Sequence, residues 1–317
     1  MLRSLLLLCL SLGSLGASLL AQERLPWLRQ HDYRRHAAFF NPDTVPNPLR
    51  TRWVTGLSTG AYGLTMLGLG SLWYSEEDLG RFRFFNDAHE WKQIDKGGHA
   101  FSTYQATRLL IGLYRWSGQP KKNALLWGSS LGLVMVSSIE VFDGFGETWG
   151  FSWPDVAANG LGAGLAVLNE ALWHEQRLQL KVGYRGYDYQ GDTTLARLFG
   201  TSRVERWVKD YNGHSIWLSA RVHSFLPPGR LKDHYPRWLN LAVGYGAEGL
   251  RGGYDDPASD WRTREYRQLY LSLDLDLSQI ETRSGFLNSL FSLVSMVRIP
   301  FPALRWDRQG FALRAWE

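Results

Sequence analysis

The periodicity of apolar residues changes near Arg177, and this change limits what the 317-residue chain can fold into. Before it, long apolar segments have helical spacing. After it, apolar and polar residues alternate, as they do in half-buried strands. The clearest strand runs through Leu269–Leu277, where every second residue is leucine. We therefore predict an α+β fold in which an N-terminal four-helix bundle precedes an antiparallel β region.

Four long helices are expected in the first half, at about residues 54–74, 96–116, 121–142 and 154–173. Ser117-Gly-Gln-Pro120 ends the second, because Gly and Pro terminate helices, and Pro154 and Asp155 suit the start of the fourth. The first segment is uncharged and could either cross a bilayer or lie buried in the bundle. Arg108 and the short apolar part of the fourth helix favour a buried or interfacial bundle over four membrane spans.

The second half contains five or six predicted strands, with an amphipathic helix at about 284–297 between them. Such strands fit a partial barrel or an open sheet. A closed bacterial barrel normally needs at least eight strands. We therefore expect a sheet that packs on helices or lies against a membrane.

The N-terminus has the pattern of an export signal, with Arg3 before the apolar run 5–20 and Ala21 at the expected cleavage site. An uncleaved membrane anchor is the alternative. The only cysteine, Cys9, lies inside this segment, so the mature chain would contain no thiol ligand or disulfide. The predicted division is a signal peptide at 1–21, an extension at 22–50, a helical domain at 51–177 and a β-rich domain at 178–317.

Composition indicates what kind of partner the chain has. Aromatic residues make up 14% of it, including 15 Trp, and such residues gather at membrane interfaces. The net charge of +5 favours attraction to anionic surfaces. Because no dense basic run or nucleic-acid motif accompanies this charge, we expect a membrane lipid or envelope component as partner and no nucleic acid.

Polar residues in otherwise apolar helices mark a candidate site. Ionisable groups there are costly to bury unless they are paired or functional. They come in pairs that share a helix face and, in alternating helices, would meet at one end of the bundle. The pairs are Asp95 with His99, Glu140 with Asp143, and Asp155 with Asn159.

This group fits three kinds of chemistry. His99, Glu140, Asp143 and Asp155 could bind a divalent metal, for which Mg, Mn or Zn suits the ligands better than copper. His99, Glu140 and Asp155 could instead be catalytic residues of acid/base type. In the structural alternative, Asp155 caps its helix, Asn159 and Glu140 bridge helices, and Asp95 satisfies His99. We also expect Asp95 to cap the second helix and orient the imidazole, and Lys96 to point elsewhere.

The same residues carry a family resemblance. The pattern Asp95-Lys-x-x-His99, Glu140 with Asp143, and Phe151-Ser-Trp-x-Asp155-x-x-Ala158-Asn159-x-x-Gly162 resembles the YfiM-like family of predicted periplasmic proteins of unknown function. It is also similar, more distantly, to VanZ-like membrane proteins, which are linked to glycopeptide-antibiotic tolerance. The downstream segments 209–213, 241–248 and 270–274 resemble the long form found in Bacteroidota-type envelopes. Many YfiM-like members are described as lipoproteins, and this sequence departs from them by lacking a lipobox cysteine.

Three hypotheses follow. The first is an exported, membrane-associated cell-envelope protein with a buried polar site in a helical bundle. The second is a metal- or acid/base-dependent enzyme that acts on a lipid or cell-wall intermediate. The third is a structural component of envelope assembly. The sequence does not decide between inner and outer membrane.

Overall fold

The structure is a computed structural model that describes residues 43–73, 80–189, 191–254, 265–280, 282 and 284–315. All of these lie within one compact unit, Asp32–Glu317. The predicted signal peptide at 1–21 and most of the extension at 22–50 lie outside the described residues. The division into domains at 177/178 stays a prediction.

Four long helices occupy the first half, close to the predicted bounds. They are α1 Pro48–Trp73, α2 Ile94–Trp116, α3 Lys121–Asp143 and α4 Trp153–Trp173. Five shorter helices follow: α5 Thr193–Phe199, α6 Arg203–Lys209, α7 Val222–Phe225, α8 Arg230–His234 and α9 Gly285–Val294. The described residues thus hold nine helices rather than the four of the predicted bundle; α9 corresponds to the helix predicted at about 284–297, and the four shortest helices are not predicted. Helices of four to seven residues show too little periodicity to be recognised in the sequence.

Eight strands form two sheets in the described residues. In the first, β1 Phe84–Phe85 pairs in parallel with β2 Phe151–Ser152. The second contains six antiparallel strands in chain order: β3 Leu178–Tyr184, β4 His214–Ala220, β5 Leu239–Glu248, β6 Tyr266–Leu275, β7 Ala303–Asp307 and β8 Gly310–Arg314. The α+β class and the antiparallel sheet are confirmed, and the sheet is not closed.

The outer edge of β3 is covered by the chain that follows α9. The Val182 N–H donates to the Met296 carbonyl at 3.1 Å, and the Arg298 N–H donates to the Val182 carbonyl at 2.8 Å. Val182 thereby forms a parallel bridge with Val297. The chain then reaches β7 after only a few residues.

Glycines allow α2, α3 and α4 to pack closely. A Cβ at Gly162 of α4 would lie 2.1 Å from the Ala100 carbonyl oxygen of α2, and one at Gly132 of α3 would lie 2.7 Å from Thr107 Oγ1. These distances are far below a normal contact, so only glycine permits this helix separation. Within the glycine-rich run 160–164, Gly162 is the residue that serves helix packing, whereas a Cβ at Gly160 or Gly164 would have nothing within 4 Å.

Helix α2 joins the bundle to the sheet. Gln105 Nε2 donates to the Leu180 carbonyl of β3 at 2.6 Å, and a Cβ at Gly97 would lie 2.8 Å from Ile216 Cγ1 of β4. The N-terminal part of α2, which carries the candidate site residues, is therefore held against the sheet. By length and composition alone, α3 is the one described helix that could cross a membrane.

The six-stranded sheet has one polar and one apolar face. The polar face is buried and contains ion pairs between Lys181 and Asp274, at 2.6 Å, and between Arg221 and Asp276, at 2.8 Å. On the same face the Arg298 guanidinium lies 3.7 Å from the centroid of the buried Trp217 ring. The other face is partly covered by α2. The rest of this face is lined by large apolar side chains that are 36–77% exposed. We call it the apolar sheet face; its residues are Leu218, Leu241, Val243, Leu269, Leu271, Leu273, Leu304, Trp306, Phe311 and Leu313.

Candidate functional site

Lys96 lies at the centre of a carboxylate cluster at the start of α2. Its Nζ is 2.8 Å from Asp87 Oδ2, 2.9 Å from Asp95 Oδ2 and 2.9 Å from Asp155 Oδ1. The expectation that Lys96 points elsewhere is therefore wrong. Three acidic groups from different segments converge here, and a long flexible side chain can reach them from the first helical turn. Their negative charge raises the pKa of Lys96 although burial opposes this rise, so the ammonium is retained.

His99 lies one turn later on α2, and its ring has a defined tautomer. Nδ1 is 3.2 Å from Asn159 Oδ1, which also accepts a 2.8 Å hydrogen bond from Thr103 Oγ1. Asn159 Nδ2 donates to Ser137 Oγ, so the oxygen is the atom that faces the ring. Since this amide oxygen can only accept, His99 Nδ1 carries the proton. In the neutral imidazole, Nε2 then presents a lone pair.

Three carboxyl groups surround that Nε2 atom. It is 3.7 Å from Asp95 Oδ1, 3.7 Å from Glu140 Oε1 and 3.9 Å from Asp155 Oδ1. All three separations exceed hydrogen-bond length. The sequence prediction that the start of α2, the end of α3 and the start of α4 meet at one end of the bundle agrees with this geometry.

Glu140 is 1% exposed, and its carboxyl group is held by Ser152, the last residue of β2. Its Oε2 accepts from the Ser152 N–H at 3.2 Å, whereas Oε1 has no hydrogen-bond partner among the described residues. Ser152 also caps α4, because its Oγ accepts from the Asp155 N–H at 3.0 Å. The expectation that Asp155 caps this helix is therefore wrong, and its carboxylate is free to face Lys96.

Asp95 does not cap α2 either. The helix begins at Ile94 with Gln93 as N-cap residue, and no side chain makes a capping hydrogen bond there. Asp95 Oδ1 instead accepts from Tyr211 Oη at 3.1 Å. Tyr211 belongs to the connection between α6 and β4, so the second half of the chain contributes directly to the site.

The backbone before α2 is held in an unusual conformation. Trp91, Lys92 and Gln93 have φ values of 50°, 51° and 65°, a left-handed region that non-glycine residues seldom adopt. Contacts from the second half stabilise this turn: the Trp91 N–H donates to the Gly253 carbonyl at 2.7 Å, and Arg267 Nη2 donates to Gln93 Oε1 at 2.6 Å. Such strain persists where the surrounding structure enforces it, often at functional sites.

The pKa values of the carboxyl groups diverge. Burial, followed by the charges of Asp155 and Asp143, raises the pKa of Glu140 to about 9. Burial and the nearby Asp95 raise the pKa of Asp155 to about 7. Against the effect of burial, hydrogen bonds from Asp155, Lys96 and Ser152 lower the pKa of Asp87. The cluster therefore combines carboxyl groups that hold protons at neutral pH with ones that do not, an arrangement suited to proton transfer or to cation binding.

The six residues that the sequence singles out do not contribute equally. Asp95, His99, Glu140, Asp155 and Asn159 lie together in the cluster. Asp143 is the last residue of α3 and acts on the cluster through its charge, which raises the pKa of Glu140 and Tyr211. The catalytic and metal-binding roles of these residues remain predictions.

Sequence reasoning missed four contributors: Lys96, Asp87, Ser152 and Tyr211. Three of them stand in patterns that the sequence singles out. Lys96 is part of the Asp-Lys-x-x-His pattern, Ser152 is part of the Phe-Ser-Trp-x-Asp pattern, and Tyr211 lies within the segment 209–213 of the long-form resemblance. Asp87 lies between the first two predicted helices, where no pattern marks it.

Fold and site together define an α+β protein in which a sheet and a helical bundle enclose one buried, acid-rich cluster. Residues 83–171 match the model of a family described as "Predicted periplasmic lipoprotein (DUF2279)". The matched stretch includes α2, α3, all but the last two residues of α4, and every cluster residue except Tyr211. It supports similarity to a periplasmic family of unknown function and an exported location. Comparisons with curated proteins and with solved structures found no match.

Proposed function

We propose that the protein is an exported cell-envelope protein that associates with a lipid membrane through its apolar sheet face and keeps an acid-rich site in its helical bundle. The observation that carries this proposal is the inverted distribution of polarity in the six-stranded sheet. Ion pairs occupy the buried face, and large apolar side chains occupy the exposed one.

The sheet differs from one that covers the core of a water-soluble protein. There, the apolar face is buried and the polar face meets water. Here Lys181 and Asp274 are fully buried, whereas Leu271 is 45% and Leu313 is 77% exposed. Exposed contiguous apolar patches mark interaction sites, and lipid chains satisfy such a face without needing hydrogen bonds from it.

A second apolar surface, made of aromatic side chains, lies at the site end of the bundle. Phe82, Phe84, Phe151 and Trp153 are in mutual ring contact; Phe84 and Trp153 stack at 6.2 Å between centroids and are each more than 60% exposed. Aromatic rings favour the boundary between lipid chains and headgroups. This cluster is next to Asp155 in the chain, so the buried site would lie near that boundary.

The family match agrees with an envelope location. The YfiM-like and the more distant VanZ-like resemblances give the finer assignment, and both suggest an envelope role without a defined reaction. The family's description as a lipoprotein agrees with membrane association, and in this proposal the apolar sheet face provides that association through the fold itself.

Co-sedimentation with vesicles tests the proposal. Purified protein is mixed with vesicles of phosphatidylethanolamine and phosphatidylglycerol and compared with a triple variant, Val243→Gln, Leu271→Gln and Leu273→Gln. These positions point away from the buried face, so folding is retained. Each substitution removes about 1 kcal/mol of the free energy of transfer from water to lipid. Burying a whole apolar side chain contributes about 1.5–3 kcal/mol, and about half of each of these side chains is exposed. Together this corresponds to roughly a hundredfold weaker partitioning.

The control is Val204→Gln on α6, which alters a side chain that is 69% exposed but is not on the sheet. It should bind vesicles as the wild type does. Wild-type protein that stays in the supernatant, or a triple variant that still binds fully, would refute the proposal. So would a stable dimer in the absence of lipid that the triple variant disrupts, because the apolar sheet face would then be an interface between copies.

A further inference from the structure

We propose that the cluster binds one divalent metal cation through His99 Nε2, Asp95 Oδ1, Glu140 Oε1 and Asp155. This inference is independent of membrane association. It is carried by the direction of the histidine lone pair, by one orphaned buried carboxyl oxygen and by the spacing of the surrounding atoms.

The histidine is the first argument. Asn159 fixes the proton on Nδ1, as described above, and leaves the Nε2 lone pair directed towards three carboxyl oxygens. A lone pair facing oxygen atoms is repulsive unless a cation or a proton lies between them. Metal-bound histidines usually donate their second N–H to such an oxygen acceptor, which fixes the ring as Asn159 does here.

Glu140 is the second argument. A carboxyl oxygen buried to this extent normally has a hydrogen-bond partner, because desolvation without compensation is costly. Glu140 Oε1 has none among the described residues, although Oε2 of the same group is held by the Ser152 backbone. The side chain is thus fixed at one oxygen and presents the other to His99 Nε2 at 3.7 Å.

Spacing is the third argument. Four ligands at about 2.1 Å from a tetrahedral metal are separated from each other by about 3.4 Å. The measured separations from Nε2, 3.7 to 3.9 Å, exceed this by only a few tenths of an ångström. Ligating atoms of Asp95, His99 and Asp155 all lie within 4.8 Å of one another. Small side-chain movements would complete the coordination shell.

Lys96 does not take the place of the metal. It contacts Asp95 at Oδ2, whereas Oδ1 of the same carboxylate faces His99 and Tyr211. Asp155 Oδ1 lies 2.9 Å from Lys96 Nζ and 3.9 Å from His99 Nε2, and a carboxylate oxygen has two lone pairs, so this atom can accept from Lys96 and bind the metal together. Four carboxyl groups, those of Asp87, Asp95, Glu140 and Asp155, face a single ammonium. A divalent ion would displace the protons of Glu140 and Asp155 and balance the negative charge that their loss leaves.

The donor set indicates the metal class. One imidazole nitrogen with three carboxylates, and no thiol, suits Zn²⁺ or Mn²⁺; a purely hard cation such as Ca²⁺ would favour oxygen ligands alone. Asn159 and Tyr211 are positioning residues in this scheme, because they orient His99 and Asp95 without touching the metal.

Direct metal titration tests the proposal. Protein without a histidine tag is freed of metal with a chelator and equilibrated with Zn²⁺ or Mn²⁺, and bound metal is counted. We expect one equivalent in the wild type and binding at least tenfold weaker in His99→Ala and in Glu140→Gln. Asn159→Ala should weaken binding about 10- to 100-fold, as loss of a residue that orients a ligand usually does. Metal should also raise the melting temperature of the wild type.

His223→Ala is the matched control, since it removes an imidazole from α7, outside the cluster, and should leave binding unchanged. Glu140→Gln preserves side-chain size, and circular dichroism checks that each variant is folded. The proposal is overturned if the chelated wild type takes up no stoichiometric metal at millimolar concentration, which would mean that protons alone balance the cluster. It is equally overturned if His99→Ala and Glu140→Gln both bind metal as the wild type does.

Discussion

Replacing Gly162 by alanine should separate α2 from α4. The new Cβ would lie 2.1 Å from the Ala100 carbonyl oxygen and 3.0 Å from the Tyr104 nitrogen, so the helices must move apart by about 1 Å to reach normal contact. Overpacking of this kind costs about 1–3 kcal/mol or more. Alanine stabilises a helix interior by about 1 kcal/mol relative to glycine, and this gain in helix propensity only partly offsets the steric cost.

Gly160→Ala is the matched control on the same helix. Nothing lies within 4 Å of a Cβ at Gly160, so this variant gains helix propensity without a clash and should be stabilised by about 0.5–1 kcal/mol. The difference between the two variants isolates the steric cost. At about 1.5 °C per kcal/mol for a chain of this size, a steric cost of about 1–3 kcal/mol should make their melting temperatures differ by about 2–5 °C.

Thermal and urea unfolding of the two variants provide the measurement. Because Gly162 lies one turn after Asn159, the Gly162→Ala variant should also lengthen the 3.2 Å contact between His99 Nδ1 and Asn159 Oδ1. Equal stability of Gly160→Ala and Gly162→Ala would show that the close approach of α2 and α4 does not constrain the bundle, and the packing argument would fail.

Three further predictions concern hydrogen bonds and ion pairs between buried or half-buried side chains. Tyr211→Phe removes the hydrogen bond to Asp95 and should lower the unfolding free energy by about 1.5–3 kcal/mol, whereas Tyr235→Phe should have little effect; equal values for the two would contradict the assignment. Lys181→Met leaves Asp274 buried without its ammonium and should cost about 3–5 kcal/mol in urea unfolding, most of which the double variant with Asp274→Leu should restore. Despite burial, Arg221 and Lys181 lower the pKa of Asp276, which also faces Gln179, Ser278 and Ser295. The ionised Asp276 therefore stabilises the fold fully above the unfolded-state pKa near 4. This contribution is lost as the pH falls from there towards the lower folded-state pKa. Unfolding of the wild type should therefore depend on pH more steeply than unfolding of Asp276→Asn below about pH 4, and parallel curves would show that Asp276 is not the responsible group.

The positions of the long elements could be predicted because each repeats its pattern over many residues. Apolar spacing gave the four long helices to within a few residues at most ends, and the alternation gave the strands. The convergence of His99, Glu140 and Asp155 also follows from local rules, since short connections bring successive helix ends together.

The rest of the site depends on tertiary contacts that no local pattern records. Tyr211 and Asp95 are 116 positions apart, and their hydrogen bond exists only because the sheet packs on α2. Lys96 adjoins Asp95 in sequence, and helical geometry directs neighbouring residues to different faces. The long Lys96 side chain nevertheless reaches the carboxyl groups of the cluster. The capping assignments of Asp95 and Asp155 failed because Ser152 and the left-handed turn at 91–93 determine where the two helices begin.

The bridge between Val182 and Val297 has a consequence for self-association. An open sheet normally offers two unpaired edges at which another chain can add a strand. Here the edge of β3 is occupied by the chain's own residues around Val297, which leaves the five-residue β8 as the terminal strand of the described sheet without a strand on its outer side. Among the described strands, β8 is then the one that offers an edge for strand addition between copies, which favours a paired contact over an open-ended fibre.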